Sequence, residues 1–346
     1  MSGLSCPLPD DPGETIQLGH GSGGVLMHRL LEGHVLPAFD NPILRQGADS
    51  ATLSLDGRRL AFTTDSYVVR PRVFPGGDIG KLAVNGTVND LAMVGARPLW
   101  MSAGLILEEG LPIEEFDRAL ASMREAADHA DVTIVTGDTK VVDRGSGDGL
   151  FVNTSGIGVV EHDLKVSPNS IREGDVILLS GDLGRHGICI LAEREGLAFE
   201  ATVESDTAAL HRPVLALIEA GLPVRCLRDL TRGGLASALK EIALASGLSA
   251  EIREADIPVA PPVRGACEML GLDPLYVANE GRMIAILPAE EAERALKIWS
   301  NFAETAKSRA IGALNAGPSG QVVLQSSIGT RRSVEMLPGD QLPRIC

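Results

Sequence analysis

Two stretches constrain the fold of this chain more than any others: glycines that run straight into apolar helical sequence. Gly19-His-Gly-Ser-Gly-Gly24 precedes Val25–Leu31, and Arg228-Asp-Leu-Thr-Arg-Gly-Gly234 precedes Leu235–Ala245, where Leu235, Leu239 and Ile242 share one face. Glycine at such a junction lets backbone N–H groups approach an anion closely, and a helix N-terminus favours negative charge. The first is not a Walker loop, because no Gly-Lys-Ser/Thr follows it; a plain flexible turn is the other reading. One such start lies in each half of the 346 residues, a length that suggests two domains.

The segments between them alternate strand and helix. Arg59–Thr64 reads as a strand that ends on Asp65-Ser66, Asp131–Gly137 as a buried strand that delivers Asp138-Thr139-Lys140, and Phe151–Val160 as a third strand. A helix is expected over 78–94, with Ile79, Leu82, Ala83, Leu91 and Val94 on one side and Asn85, Asn89 and Asp90 embedded in it. Polar groups set in so apolar a helix need partners. Pro112 suits a first helical turn, and Ile113, Phe116, Leu120, Met123 and Ala127 follow at helical spacing. The second half repeats the alternation. A strand over 175–179 leads to helices over 188–195 and 208–220, Asn279-Glu280-Gly281 precedes the strand Met283–Leu287, and 322–337 reads as a hairpin turning at Gly329. The expected organisation is a mobile start over 1–15, a first domain over 16–165, a second over 166–337 and a flexible tail over 338–346. With 44% apolar but only 3% aromatic residues, this is an α/β protein with cores of Val, Leu, Ile and Ala.

The tail, Pro338-Gly-Asp-Gln-Leu-Pro-Arg-Ile-Cys346, holds two prolines and is expected to run extended and exposed. Its nine residues could reach about 30 Å, so it reads either as an arm carrying a reactive sulfur or as a frayed end. Cysteines 6, 189, 226, 267 and 346 form no paired or zinc-binding pattern, which points to a reducing cytosol. A net charge of −15 disfavours nucleic acid and anionic membranes as partners. No secretory signal is expected from the start of the chain, and the most apolar stretch, Leu91–Leu107, is interrupted by Arg97-Pro98, so no membrane span is expected.

Four acidic residues stand out by position: Asp49, Asp65, Asp90 and Asp138. Each alone fits a turn or a helix cap. Together with the glycine-led helix starts, they fit carboxylates that hold Mg²⁺ on nucleotide phosphates while backbone N–H groups take the remaining oxygens. Lys140 would add positive charge beside a transferred phosphoryl group, and Glu280 reads as a metal ligand, a base or a solvated turn residue. The seven histidines (20, 28, 34, 129, 162, 186 and 211) do not cluster with Cys or Asp and read mostly as surface groups.

GHGSGG at 19–24, TTDS at 63–66, VNDLA at 88–92, GDTK at 137–140, RDLTRGGLA at 228–236, NEG at 279–281 and PRIC at 343–346 occur in this order across nearly the whole chain. The set closely resembles the carbamoyl dehydratases of hydrogenase maturation, the HypE family. These belong with aminoimidazole ribonucleotide synthetase, selenophosphate synthetase and thiamine monophosphate kinase. The resemblance implies two α/β domains of the aminoimidazole ribonucleotide synthetase-like fold, with the first domain's sheet pairing in a homodimer. It further implies that Cys346 receives a carbamoyl group from HypF, that ATP drives its dehydration to a thiocyanate, and that the cyano group passes to iron on a HypC–HypD complex. In that scheme Asp49, Asp65, Asp90 and Asp138 hold Mg²⁺ and ATP. Gly21, Gly23, Gly24, Asn89, Thr139, Asp229, Gly233 and Gly234 complete the nucleotide site, and Cys346, Lys140 and Glu280 stand at the reacting carbamoyl. The alternatives are another ATP-dependent enzyme of the superfamily and a nucleotide-regulated scaffold whose tail only docks a partner. Of the first kind, selenophosphate synthetase would want a reactive Cys or selenocysteine beside the first glycine loop, and the scaffold predicts that Cys346→Ser keeps full function.

Overall fold

The computed structural model describes residues 16, 18–21, 24–39, 41–197, 202–337, 342 and 344–346. In the first unit, helices α1 (Val25–Leu30) and α2 (Leu36–Phe39) flank a π-helical turn. There follow strands β1 (Ala51–Leu55) and β2 (Arg58–Tyr67), a short ladder of β3 (Val73–Phe74) with β4 (Gly77–Asp78), and helix α3 (Ile79–Met93). Strand β5 (Arg97–Glu108), helix α4 (Ile113–Ala130), and strands β6 (Thr133–Val142) and β7 (Leu150–Val160) complete it. The sheet runs β1-β2-β7-β5-β6. Its pairs are antiparallel except β5 with β6, which α4 joins as a parallel crossover.

Helix α3 is the axis of this unit. Of its fifteen residues only Lys81 and Asp90 escape full burial, the signature of a helix packed on all sides. Asp78 caps it, accepting from the Lys81 N–H at 3.0 Å. Gly86, in the middle of the helix, is required by a neighbour: a Cβ there would lie 2.2 Å from the Tyr67 hydroxyl. The sheet face away from α3 exposes Phe62, Trp100 and Ile106.

The second unit contains β8 (Val176–Leu179), α5 (Arg185–Glu195), α6 (His211–Glu219), β9 (Cys226–Asp229), α7 (Gly234–Ser246), β10 (Ser249–Arg253) and α8 (Pro261–Leu270). It ends with β11 (Met283–Leu287), α9 (Ala292–Trp299), β12 (Arg309–Asn315), β13 (Val322–Gln325) and β14 (Arg331–Ser333). The sheet order is β14-β13-β10-β12-β8-β11-β9. Met283-Ile-Ala-Ile-Leu287 is buried along its whole length because it lies between β8 and β9 with a core on each face. The hairpin turns at Gly329, whose φ of +87° suits glycine.

Two expectations fail, and a third has exceptions. Strand β6 is exposed over almost its whole length and continues through Asp138-Thr139-Lys140. It is the sheet's edge, so its apolar Val135 and Val141 face outward. The described end of the tail is not exposed: Leu342 and Ile345 are buried in the same core as Tyr67, Val69 and Phe74, with Cys346 packed against it. Of the histidines, His186 and His211 are core residues.

Candidate active site

The first acidic residues come from elements that α3 holds together. Asp65 lies inside β2, Asp90 at the end of α3, Asp49 just before β1, and Asp229 at the end of β9, which packs on α3. Glu280, from the loop before β11, is only 3% exposed, and its Oε1 has no hydrogen-bond partner. Burial pushes all five carboxyls above their usual range, and neighbouring carboxylates push Asp90, Asp229 and Glu280 further. Asp90 rises well above it beside Asp229, Asp49 and Asp65. Glu280 does so beside Asp229, Asp65 and Asp206, and Asp229 reaches about 8. In Asp65 and Asp49 burial also dominates, with Arg232 and Arg228 respectively acting in the opposite direction. Like charges left this close in a low-dielectric setting call for a cation.

Two arginines supply part of it. Arg228 bonds Asp49 at 2.6 Å and Glu241 at 2.6 Å. Arg232 reaches the carbonyl of Gly21 at 3.0 Å, tying the first glycine loop to the start of α7. The charge of Cys346 is the largest influence raising the Arg232 guanidinium, followed, after an opposing burial effect, by Asp65, Glu280 and Tyr67. Cys346 thus lies within electrostatic reach of the same arginine as Asp65 and Glu280. Tyr67 closes the cluster from β2; its phenol is driven well above its usual range by burial and by Asp65, Asp90 and Glu280.

The tail is held there by named contacts. The N–H groups of Val68 and Arg70 donate to the carbonyls of Cys346 (3.0 Å) and Arg344 (3.3 Å), an antiparallel pairing in miniature. Arg344 forms an ion pair with Asp148. The cysteines at 189, 226 and 267 are buried, with thiols pushed up to about 12, 12 and 11 chiefly by burial.

Other anticipated site residues are placed differently. Following the pairing from Asp65 through Thr154 and Ala103 leads to Gly137, three strands away, or about 14 Å at sheet spacing. Asp138, the next residue, points to the opposite face, where it and Lys140 form an exposed pair at 2.9 Å. Within one copy, then, Asp138, Thr139 and Lys140 do not join the cluster. The Asn89 amide is committed to protein: it donates to the carbonyls of Ala208 (3.0 Å) and Glu280 (3.3 Å) and accepts from the Leu210 N–H (2.7 Å), bridging the two units. Gly233 starts α7 at φ +78°, and Gly234 makes room for the carbonyls of Leu275 and Val277, 2.6 and 2.8 Å from where its Cβ would stand. Gly234 thus answers to packing and Gly233 to backbone conformation. Gly24 begins α1 and Gly21 lies open, while Gly23 and Cys6 fall outside the described residues.

Among the described residues no three His, Cys, Asp or Glu converge to hold a metal by themselves. Magnesium bound with a nucleotide needs only one or two carboxylates, the phosphates and water supplying the rest. The mutually repelling Asp65, Asp90 and Asp229 fit that demand.

Paired sheets with a shared helical axis and a carboxylate cluster at their junction define an AIR synthase-like class. The family model for AIR synthase related protein, N-terminal domain, matches residues 47–160, and that for the C-terminal domain matches 172–325. The carbamoyl dehydratase HypE of Azotobacter vinelandii is 50% identical over 332 residues, covering 96% of this chain and 97% of the relative. A crystal structure of a HypE–HypF complex superposes with a TM-score of 0.85 at 43% identity, covering 89% of this chain and 99% of that one. One of hydrogenase maturation protein HypE in complex with ATP gives 0.81 at 49%, covering 96% and 100%. The chain belongs to the HypE family of carbamoyl dehydratases.

Sequence reading missed Arg232 and Tyr67 as site residues. Tyr67 was reachable by strand parity, since it stands two residues beyond Asp65 on one face. Arg232 lies inside the RDLTRGGLA stretch and was reachable by asking what neutralises the carboxylates.

Proposed function

We propose that this chain performs the ATP-dependent dehydration of an S-carbamoyl group on Cys346 to a thiocyanate, supplying a cyano ligand during hydrogenase maturation. The observation that carries the reading is the docking of Cys346 onto the chain just past Asp65 and Tyr67, where the Val68 N–H donates to its carbonyl at 3.0 Å, within electrostatic reach of Arg232. The family supports the reaction class, and the ATP complex of a relative supports the nucleotide.

The balance is simple. A phosphoryl group from ATP goes to the carbamoyl oxygen, releasing ADP and turning a poor leaving group into a good one. The nitrogen gives up both protons, the C–O bond breaks as phosphate departs, and a C≡N triple bond remains on sulfur. Arg232 is placed to hold the negative charge of the phosphorylated oxygen. Glu280, buried with a raised pKa and an unpartnered oxygen, is suited to take a proton from a weakly acidic N–H. Mg²⁺ accompanying the nucleotide neutralises phosphate charge, and Asp65, Asp90 and Asp229 are the residues that would hold it, with Asp49 shared with Arg228.

Asp138 and Lys140 fit this reading through a second copy. The exposed sheet face bearing Phe62, Trp100 and Ile106 is suited to a homodimer, in which the second copy's Asp138 and Lys140 complete the site. HypF is the proposed carbamoyl donor, supported by the HypE–HypF complex of a relative. A HypC–HypD complex is the proposed cyanide acceptor, and a reducing cytosol the proposed setting. The test is ADP release after carbamoylation by HypF: it should require Cys346. Release that persists in Cys346→Ala would refute the assignment.

A further inference from the structure

His186 lies in the first turn of α5, fully buried, with its ring edge-on to Phe74 at 5.5 Å between centroids. Its Nε2 is 2.6 Å from the carbonyl of Ile345, the residue before Cys346. A carbonyl only accepts, so Nε2 carries the proton. In the neutral ring Nδ1 then accepts from the Ser205 hydroxyl, 2.8 Å away. Ser205 Oγ in turn accepts from the Thr207 N–H at 3.1 Å. The polar atoms of this chain are thus matched in sequence from the Thr207 backbone to the tail.

The same loop supports Glu280. The fully buried Asp206 carboxylate accepts from the backbone N–H of His186 (3.2 Å), Glu280 (3.4 Å) and Gly281 (3.2 Å). Ser205 and Asp206 are adjacent, so the group that holds the tail and the group proposed to remove protons hang from two neighbouring residues.

We propose that His186 is the positioning residue that latches the tail into the active site, holding Ile345 through Nε2–H so that Cys346 stays docked on Val68, just past Asp65 and Tyr67. This rests on the reading that Cys346 reacts at the carboxylate cluster, but the latch is measurable without any reaction. The amides of Val68 and Arg70 donate to the tail and exchange with solvent when it leaves. Hydrogen exchange resolved at those two amides, in the full chain without nucleotide or carbamoyl donor, reads the undocked population directly.

His186→Phe keeps a ring against Phe74 and removes the donor. It should speed exchange at Val68 and Arg70 by about 2- to 10-fold, the loss expected for one hydrogen bond, while Thr63–Asp65 in the preceding strand β2 exchange at the wild-type rate. His186→Gln, whose amide can still donate, should stay within about twofold of wild type. Ser205→Ala should show the same local effect in weaker form, and it decides the matter if His186→Phe does not fold. Unchanged exchange in His186→Phe would overturn the latch. So would equal acceleration in the Gln variant, acceleration spread along all of β2, or, as the deciding variant, Ser205→Ala at the wild-type rate. A confirmed latch in a protein that yields no thiocyanate would sink the reaction and leave the latch standing.

Discussion

Asp229→Asn should make the protein without nucleotide or metal more stable while disabling it. Asp229 is 7% exposed, and burial together with Asp49 raises its carboxyl from 3.8 to about 8. A folded pKa above the unfolded one means that the folded carboxyl resists losing its proton. Stability therefore falls as pH rises from about 4 to about 8. Each unit is worth about 1.4 kcal/mol, so at pH 7 the charge costs at most about 4 kcal/mol. The asparagine variant has no charge to bury there. Denaturant titrations in EDTA, run at intervals between pH 4 and pH 8, should show the two proteins converging near pH 4, with the variant ahead by up to about 4 kcal/mol at pH 7. Mg-ATP should then stabilise the wild type more than the variant, since only the former retains the full carboxylate set. A variant no more stable than wild type at pH 7, or a gap that ignores pH, would refute the electrostatic account of the cluster.

Other substitutions test other parts. Ile345→Ala removes buried aliphatic surface from the docked tail, about 2 kcal/mol at 0.8 per methylene, so exchange at Val68 and Arg70 should rise about 30-fold; an effect under about threefold would mean that the side chain does not anchor the tail. His211 is buried and its pKa lowered to about 4, so the folded state resists protonation and loses stability as pH falls from about 6.5 to about 4, by about 3 kcal/mol. His211→Gln should flatten that part of the wild-type acid profile, and an unchanged profile would count against it. If the site is shared between copies, Lys140→Ala and Glu280→Gln proteins, each inactive, should recover roughly a quarter of wild-type turnover when mixed and allowed to exchange subunits. No recovery despite exchange would place Lys140 outside the second copy's site.

The elements legible in the sequence were those whose burial pattern is local. Helix α3 carries apolar residues from Ile79 to Met93 at helical spacing, β11 is five apolar residues long, and the hairpin turns on a glycine that the backbone needs at positive φ. Strand β6 was misread because Val-Thr-Ile-Val looks the same at a sheet edge as at its centre; only the strand order separates the two. The tail was misread for a related reason. Prolines do exclude helix, but extended chain is also what pairs with Val68 and Arg70, and the core that buries Ile345 is built mostly of residues between Tyr67 and Ala278. Asp65, Asp90 and Glu280 were singled out from sequence and do meet. Asp138 and Lys140 were grouped with them on sequence alone and lie on the opposite sheet face. His186 was passed over as a surface group, since the carbonyl it meets lies 159 residues further along.

The most direct test of the central claim is the intact mass of the protein after treatment with carbamoyl phosphate and HypF, before and after Mg-ATP. The account predicts one carbamoyl adduct, converted with ATP into an adduct lighter by a single water, and neither species in Cys346→Ala. An adduct that forms equally in Cys346→Ala, or one that ATP leaves unchanged, would contradict it.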